Sequence, residues 1–145
     1  MKPAAPAVED HTRAHLVSDT GAHAASSDHR PVPVALRHDP AADPGALTFA
    51  FPDTFPGGSE WSFPRDLLEA GMRSPAEGGG IRVWPCGRVQ TVVEFHSAHA
   101  VAVVQFDNAP LIRFLRRTHA VAVRTAPVRR SSERAAAPAL RTPSA

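Results

Sequence analysis

The sequence predicts an α+β domain: antiparallel β-sheet with two or more short helices. Three observations carry that expectation. Apolar residues alternate with period two through several short runs between residues 31 and 106. Turn residues join those runs, where a parallel crossover would need about a dozen residues or more. Two segments, near 64–72 and 108–118, switch to helical spacing without forming βαβ units.

The elements follow in order. HTRAHLV at 11–17 alternates enough for a possible first strand, whereas 18–30 is small and polar and reads as loop. Val32, Val34 and Leu36 alternate with Pro33, Ala35 and Arg37, which suits an edge strand because of the prolines. His38-Asp39-Pro40 and Asp43-Pro44-Gly45 are turn signals. Leu47, Phe49 and Phe51 share one face of the next strand. Pro52 to Gly58 is a turn, and Ser59–Phe63 is a short strand containing Trp61.

Pro64 opens a short helix, where its missing N–H costs little. Leu67, Leu68, Gly71 and Met72 fall on its apolar side, and Gly71 stands where a left-handed cap would end it. Ser74–Gly80 reads as a flexible loop; its glycines lead into a strand, whereas a phosphate-binding loop leads into a helix. Ile81 and Val83 face one way before Pro85. Val89, Thr91, Val93 and Phe95 line one strand, and Ala100, Ala102, Val104 and Phe106 line the next, as a hairpin turning near Ser97-Ala98. Asn108 caps a second helix running to about Thr118. Its buried face is Leu111, Ile112, Phe114, Leu115 and Thr118, and its opposite face is Arg113, Arg116 and Arg117. His119–Val123 reads as a last short strand.

Composition bounds the class. The 145 residues suit one domain, and 43% hydrophobic content supplies a core. No apolar run approaches the ~18 residues of a membrane span, and Glu9 and Asp10 interrupt any secretory-type start. The single cysteine, Cys86, excludes an internal disulfide framework. A small soluble, cytoplasmic domain is expected. Residues 1–30 and 31–123 each carry a net charge of −1, whereas 124–145 carry five Arg and one Glu. The pI near 9.5 is therefore a property of the tail, not of a basic nucleic-acid-binding face. The expected organisation is a mostly disordered segment 1–30, a domain over 31–123 and a disordered basic tail over 124–145.

Candidate chemistry is sparse. His96 and His99 flank a turn near Glu94, but HExxH is absent and the pattern reads as surface histidines. Cys86 lacks a legible base or oxyanion site and reads as a structural thiol. No GxSxG elbow occurs. The Arg113, Arg116 and Arg117 face could meet acidic protein or phosphate. The residues thus describe a non-enzymatic binding or scaffolding domain with no catalytic residue, cofactor or metal.

Several phrases in order carry a resemblance: VPVALRHDP from Val32, LTFAF at Leu47–Phe51, EWSFPRDLLEAGM at Glu60–Met72, IRVWPC at Ile81–Cys86 and PLIRFLRRTHA at Pro110–Ala120. Together they resemble the SsgA/SsgB-like sporulation and cell-division proteins of actinomycetes. The resemblance implies a Whirly-like fold assembling as a trimer, and a non-enzymatic role in choosing or building sporulation septa. It implies partners among other SsgA-like proteins and the tubulin-like division protein FtsZ, and a location at the division septum. Trp61, Phe63, Leu67, Leu68, Val83, Trp84 and Phe114 match family positions read as core. Arg65, Asp66, Arg82, Arg116 and Arg117 match polar family positions and, with Arg113, are the expected partner or subunit contacts. The chain departs from the family in its short FHSAHA turn, its short connection at Gly87-Arg88 and its basic, proline-broken tail. Two functions stay open: a division-septum adaptor, and a Whirly-like single-stranded nucleic-acid binder using the Arg-rich tail and a sheet face, which would need a basic groove with exposed aromatics. The near-neutral core region counts against the second.

Overall fold

A computed structural model of the chain describes residues 6–20 and 30–125. The elements are β1 (Val8–Thr20), β2 (Arg30–His38), β3 (Ala46–Ala50), β4 (Glu60–Pro64), α1 (Arg65–Gly71), β5 (Ala76–Gly78), β6 (Ile81–Cys86), β7 (Gln90–His96), β8 (Val101–Asp107) and α2 (Asn108–Thr125). The eight strands of the described residues form one antiparallel sheet in the order β4-β3-β2-β1-β8-β7-β6-β5. The sheet curls, so that inner-face rings from one half touch those of the other. Phe49 on β3 lies 5.4 Å from Phe106 on β8, and Trp61 on β4 lies 5.2 Å from Phe95 on β7.

Period-two alternation builds the inner face. Leu36 pairs with Phe49, Leu47 with Phe63, Val93 with Val104, and Phe95 with Ala102. All are buried, and Leu68 of α1 joins them with Leu111 and Phe114 of α2. Each large side chain so buried contributes about 1.5–3 kcal/mol relative to exposure. The Phe49–Phe63 rings meet edge to face at 4.9 Å and 78°, a favoured aromatic geometry. His38 is buried at the end of β2, and its Nε2 bonds the Pro44 carbonyl at 3.0 Å, closing the Asp39–Pro44 turn.

Several elements differ from the sequence expectation. The first strand is longer than 11–17: β1 starts at Val8 and reaches Thr20, and it lies centrally between β2 and β8. Its inner face alternates Val8, Ala14 and Leu16 with Asp10 and Thr12, which dilutes the apolar period. Asp10 is accommodated because Arg117 of α2 reaches its carboxylate. Residues 18–20, expected as loop, belong to the strand; 21–29, like 1–5 and the expected tail beyond Thr125, lie outside the described residues.

The segment 119–123 is helix, not strand. Leu111, Phe114, Leu115, Thr118 and Val121 continue one buried stripe at helical spacing, so α2 runs on to Thr125. Ile112 falls off that stripe and is exposed. Val89 is exposed in the connection before β7, not in the strand.

The glycine run is a hairpin turn. Gly78 pairs with Ile81, and Gly79 and Gly80 hold φ of 58° and 82° between them, the two left-handed positions of a type I′ turn. Gly71 is not a left-handed cap. It is the buried last residue of α1, on the side that faces β6, where an added Cβ would stand 2.3 Å from the Val83 Cβ. The helix lies on β6 at that contact.

Candidate partner-binding surface

The six residues expected to contact a partner do not form one patch. α2 carries three of them. Its buried stripe turns Arg113, Arg116 and Ile112 outward. Ile112 and Arg116 are four residues apart and Arg113 and Arg116 three apart, so they are neighbours on the helix surface. The Arg113 and Arg116 side chains make no ion pair or hydrogen bond among the described residues. Like charges at that spacing repel by about 0.2–0.5 kcal/mol. Ile112 was expected to be buried. The signal that separates it is its position one residue, or 100°, from Leu111, which leaves the Leu111–Phe114–Thr118 stripe.

Arg117 faces the other way. It bonds the Asp10 carboxylate and the Glu9 carbonyl, and so fastens α2 to β1. Arg65 also turns inward. Its Nη1 donates to Thr118 Oγ1 at 3.3 Å, and the Thr118 hydroxyl donates to the Leu115 carbonyl at 2.7 Å. Glu69 pairs with His119 beside it, so α1 and the second half of α2 are joined by polar contacts. Asp66 is exposed at the start of α1, apart from the α2 face.

Arg82 lies on the outer face of β6. Its guanidinium bridges Glu77 at 3.2 Å and Glu94 at 3.7 Å, and stands 6.0 Å from the Trp84 ring centre. Trp84, expected in the core, alternates outward with Arg82 and is partly exposed. His96 and Glu94 share this face at 2.7 Å. Among the described residues no group of three or more His, Cys, Asp or Glu could hold a metal ion. Cys86 is half-buried, with Gln105 Nε2 3.8 Å from its sulfur.

The sequence profile described as "Streptomyces sporulation and cell division protein, SsgA" matches residues 32–126. The chain belongs to the SsgA family. It is 38% identical to the sporulation-specific cell division protein SsgB of Salinispora tropica over 99 residues, 65% of this chain and 68% of that protein. It is 37% identical to SsgB of Frankia casuarinae over 95 residues, covering 61% and 65%. The chain thus spans about two thirds of the length of these curated relatives.

Solved structures agree on the architecture. An SsgB structure from Streptomyces coelicolor, from work correlating SsgB mutations with longitudinal cell division during sporulation, superposes with a TM-score of 0.67 at 29% identity, covering 83% of this chain and 91% of that one. An SsgA-like sporulation-specific cell division protein from Thermobifida fusca superposes with a TM-score of 0.68 at 24% identity, covering 83% and 85%, a likeness of fold. The expected antiparallel α+β class is therefore the SsgA-family fold, a family of sporulation and cell-division proteins. No helix among the described residues is long and apolar enough to cross a membrane.

Proposed function

We propose that this SsgA-family protein is a non-enzymatic adaptor in sporulation-specific septation, acting at the division septum through protein contacts. The observation that carries the contact site is the outward face of α2. There Arg113 and Arg116 stand beside exposed Ile112, with Arg116 one turn along from it, without an acidic partner among the described residues. An exposed apolar residue beside two unpaired guanidiniums suits a partner surface that offers carboxylates next to an apolar contact. Division proteins are the partners this reading names: other SsgA-like proteins and FtsZ, with assembly as a trimer included. Arg117 and Arg65 support the surface by fixing α2 to β1 and α1. Asp66 and Arg82 are secondary contacts on other faces.

The test separates folding from binding. Arg113→Glu with Arg116→Glu leaves the thermal midpoint unchanged, because neither side chain is buried. The same double variant, tagged and imaged in the sporulating host, loses septal foci that the parent chain forms. Septal foci from the folded double variant, together with undiminished capture of FtsZ and SsgA-like proteins, would refute the assignment of this face.

A second reading, single-stranded nucleic-acid binding, draws on Trp84 standing beside Arg82 on the outer sheet face. Glu77 and Glu94 already neutralise Arg82, which weakens it. Salt-dependent quenching of Trp84 fluorescence by single strands would favour this reading.

A further inference from the structure

Among the described residues the curled sheet does not close. Its two ends are β4 and β5, and α1, which follows β4 directly, packs against both of them and against β6. A groove of about 460 Å³ opens there, lined by Phe63, Pro64, Asp66, Leu67, Glu77 and Gly78 among others. Its cause is legible in one residue. Gly78 pairs with Ile81, which is buried on the inner face, so position 78 faces inward as well. A Cβ there would meet nothing within 4 Å. An inner-face position of an edge strand that carries no side chain leaves the space that Phe63 and Leu67 border from the other side.

Among the described residues, neither edge has a strand neighbour on the seam side. Every neighbouring pair in the order is antiparallel, so β4 and β5 also run opposite ways, and a strand entering the seam would be antiparallel to one and parallel to the other. Edge strands offer unpaired N–H and C=O groups to such a segment. The rim is acidic: among the described residues, Asp66 and Glu77 are the only charged ones bordering the groove. Glu77 is bonded to Arg82, whereas Asp66 makes no ion pair or hydrogen bond among the described residues.

We propose that this seam is a docking site for an extended, basic segment of a partner protein. Its backbone pairs with β4 or β5, one aliphatic side chain fills the space at Gly78, and Arg or Lys residues beside it meet Asp66 and Glu77. The site is separate from the α2 face and does not depend on it.

The test uses the full chain and a fluorescein-labelled octapeptide of alternating valine and arginine, with a valine–glutamate octapeptide as control, read by fluorescence anisotropy and hydrogen exchange. The basic peptide binds, the acidic one does not, and binding protects the amides of 60–64 or 76–78. Gly78→Trp fills the groove and weakens binding about tenfold or more. Asp66→Lys does the same without touching the core, and so keeps the test decisive should Gly78→Trp fail to fold. Arg113→Glu with Arg116→Glu leaves peptide binding intact. Equal binding by the Asp66→Lys variant, equal binding of the acidic peptide, or no binding at all overturns the proposal. Seam protection in the free chain that grows with protein concentration would make a second copy the occupant. Protection of 126–145 that the peptide abolishes would make the chain's own C-terminal segment the occupant. Either result overturns the assignment to a partner.

Discussion

Gly71 and Val83 are in closer contact than any side chain at position 71 would permit: a Cβ on the glycine would lie 2.3 Å from Val83 Cβ and 3.0 Å from the Val83 carbonyl oxygen. The helix is held to β6 at that point, and the backbone atom blocks an easy rotamer escape. Gly71→Ala should therefore destabilise by about 3 kcal/mol, although alanine is the better helix former. Urea unfolding would measure it. A Gly71→Ala chain as stable as the parent, or more so, would show that α1 is not seated on β6 as described.

Phe114 of α2 is fully buried and belongs to the hydrophobic core. Phe114→Ala should cost about 3–5 kcal/mol. The neighbouring Arg113→Ala should stay within about 0.5 kcal/mol, because Arg113 is exposed. Denaturant midpoints of the two variants would show the contrast, and similar values for both would contradict the assigned helix face.

The Gly79–Gly80 turn gives a graded expectation. Gly79 has φ of 58° and open space around it, so the conformation decides and not a clash. Gly79→Asn should be mild, since asparagine tolerates the left-handed region. Gly79→Val should cost about 1–2 kcal/mol. Reversal of that ranking in thermal melts would exclude a type I′ turn.

The Asp10–Arg117 pair joins β1 to α2 at the surface. Both partners are partly exposed, so a double-mutant cycle with Asp10→Asn and Arg117→Gln should return a coupling under about 1 kcal/mol. A coupling of several kcal/mol would mean that the pair is far better shielded from water than its exposure indicates.

Much of the fold was legible because most strands bury one face. Leu47 and Phe49, Ile81 and Val83, and Ala102, Val104 and Phe106 alternate cleanly and all point inward. β1 was only partly legible, since Asp10 and Thr12 occupy inner positions that an isolated sequence gives no reason to bury. The end of α2 was misread because Ala120-Val121-Ala122 suits either state locally, and only the stripe from Leu111 decides it. Gly71 looked like a cap, because close approach to Val83 is a tertiary fact. Matching a polar family position, or lying on the polar side of a helix, does not say where a long charged side chain turns. Arg117 and Arg65 bend inward to Asp10 and Thr118, whereas Arg113 and Arg116 do not.

The central position of β1 bears on how the protein is made. Its partners are β2, the next strand, and β8, the last, with His15 opposite Gln105. Synthesis delivers β1 first, yet its second ladder cannot form until β8 has left the ribosome. Pairing across so much sequence is slow, because a long loop must close before any contact rewards it. A nascent chain that stalls or is cleaved before Asp107 would hold a β1–β2 hairpin with a bare edge along β1, the form most exposed to edge-to-edge association.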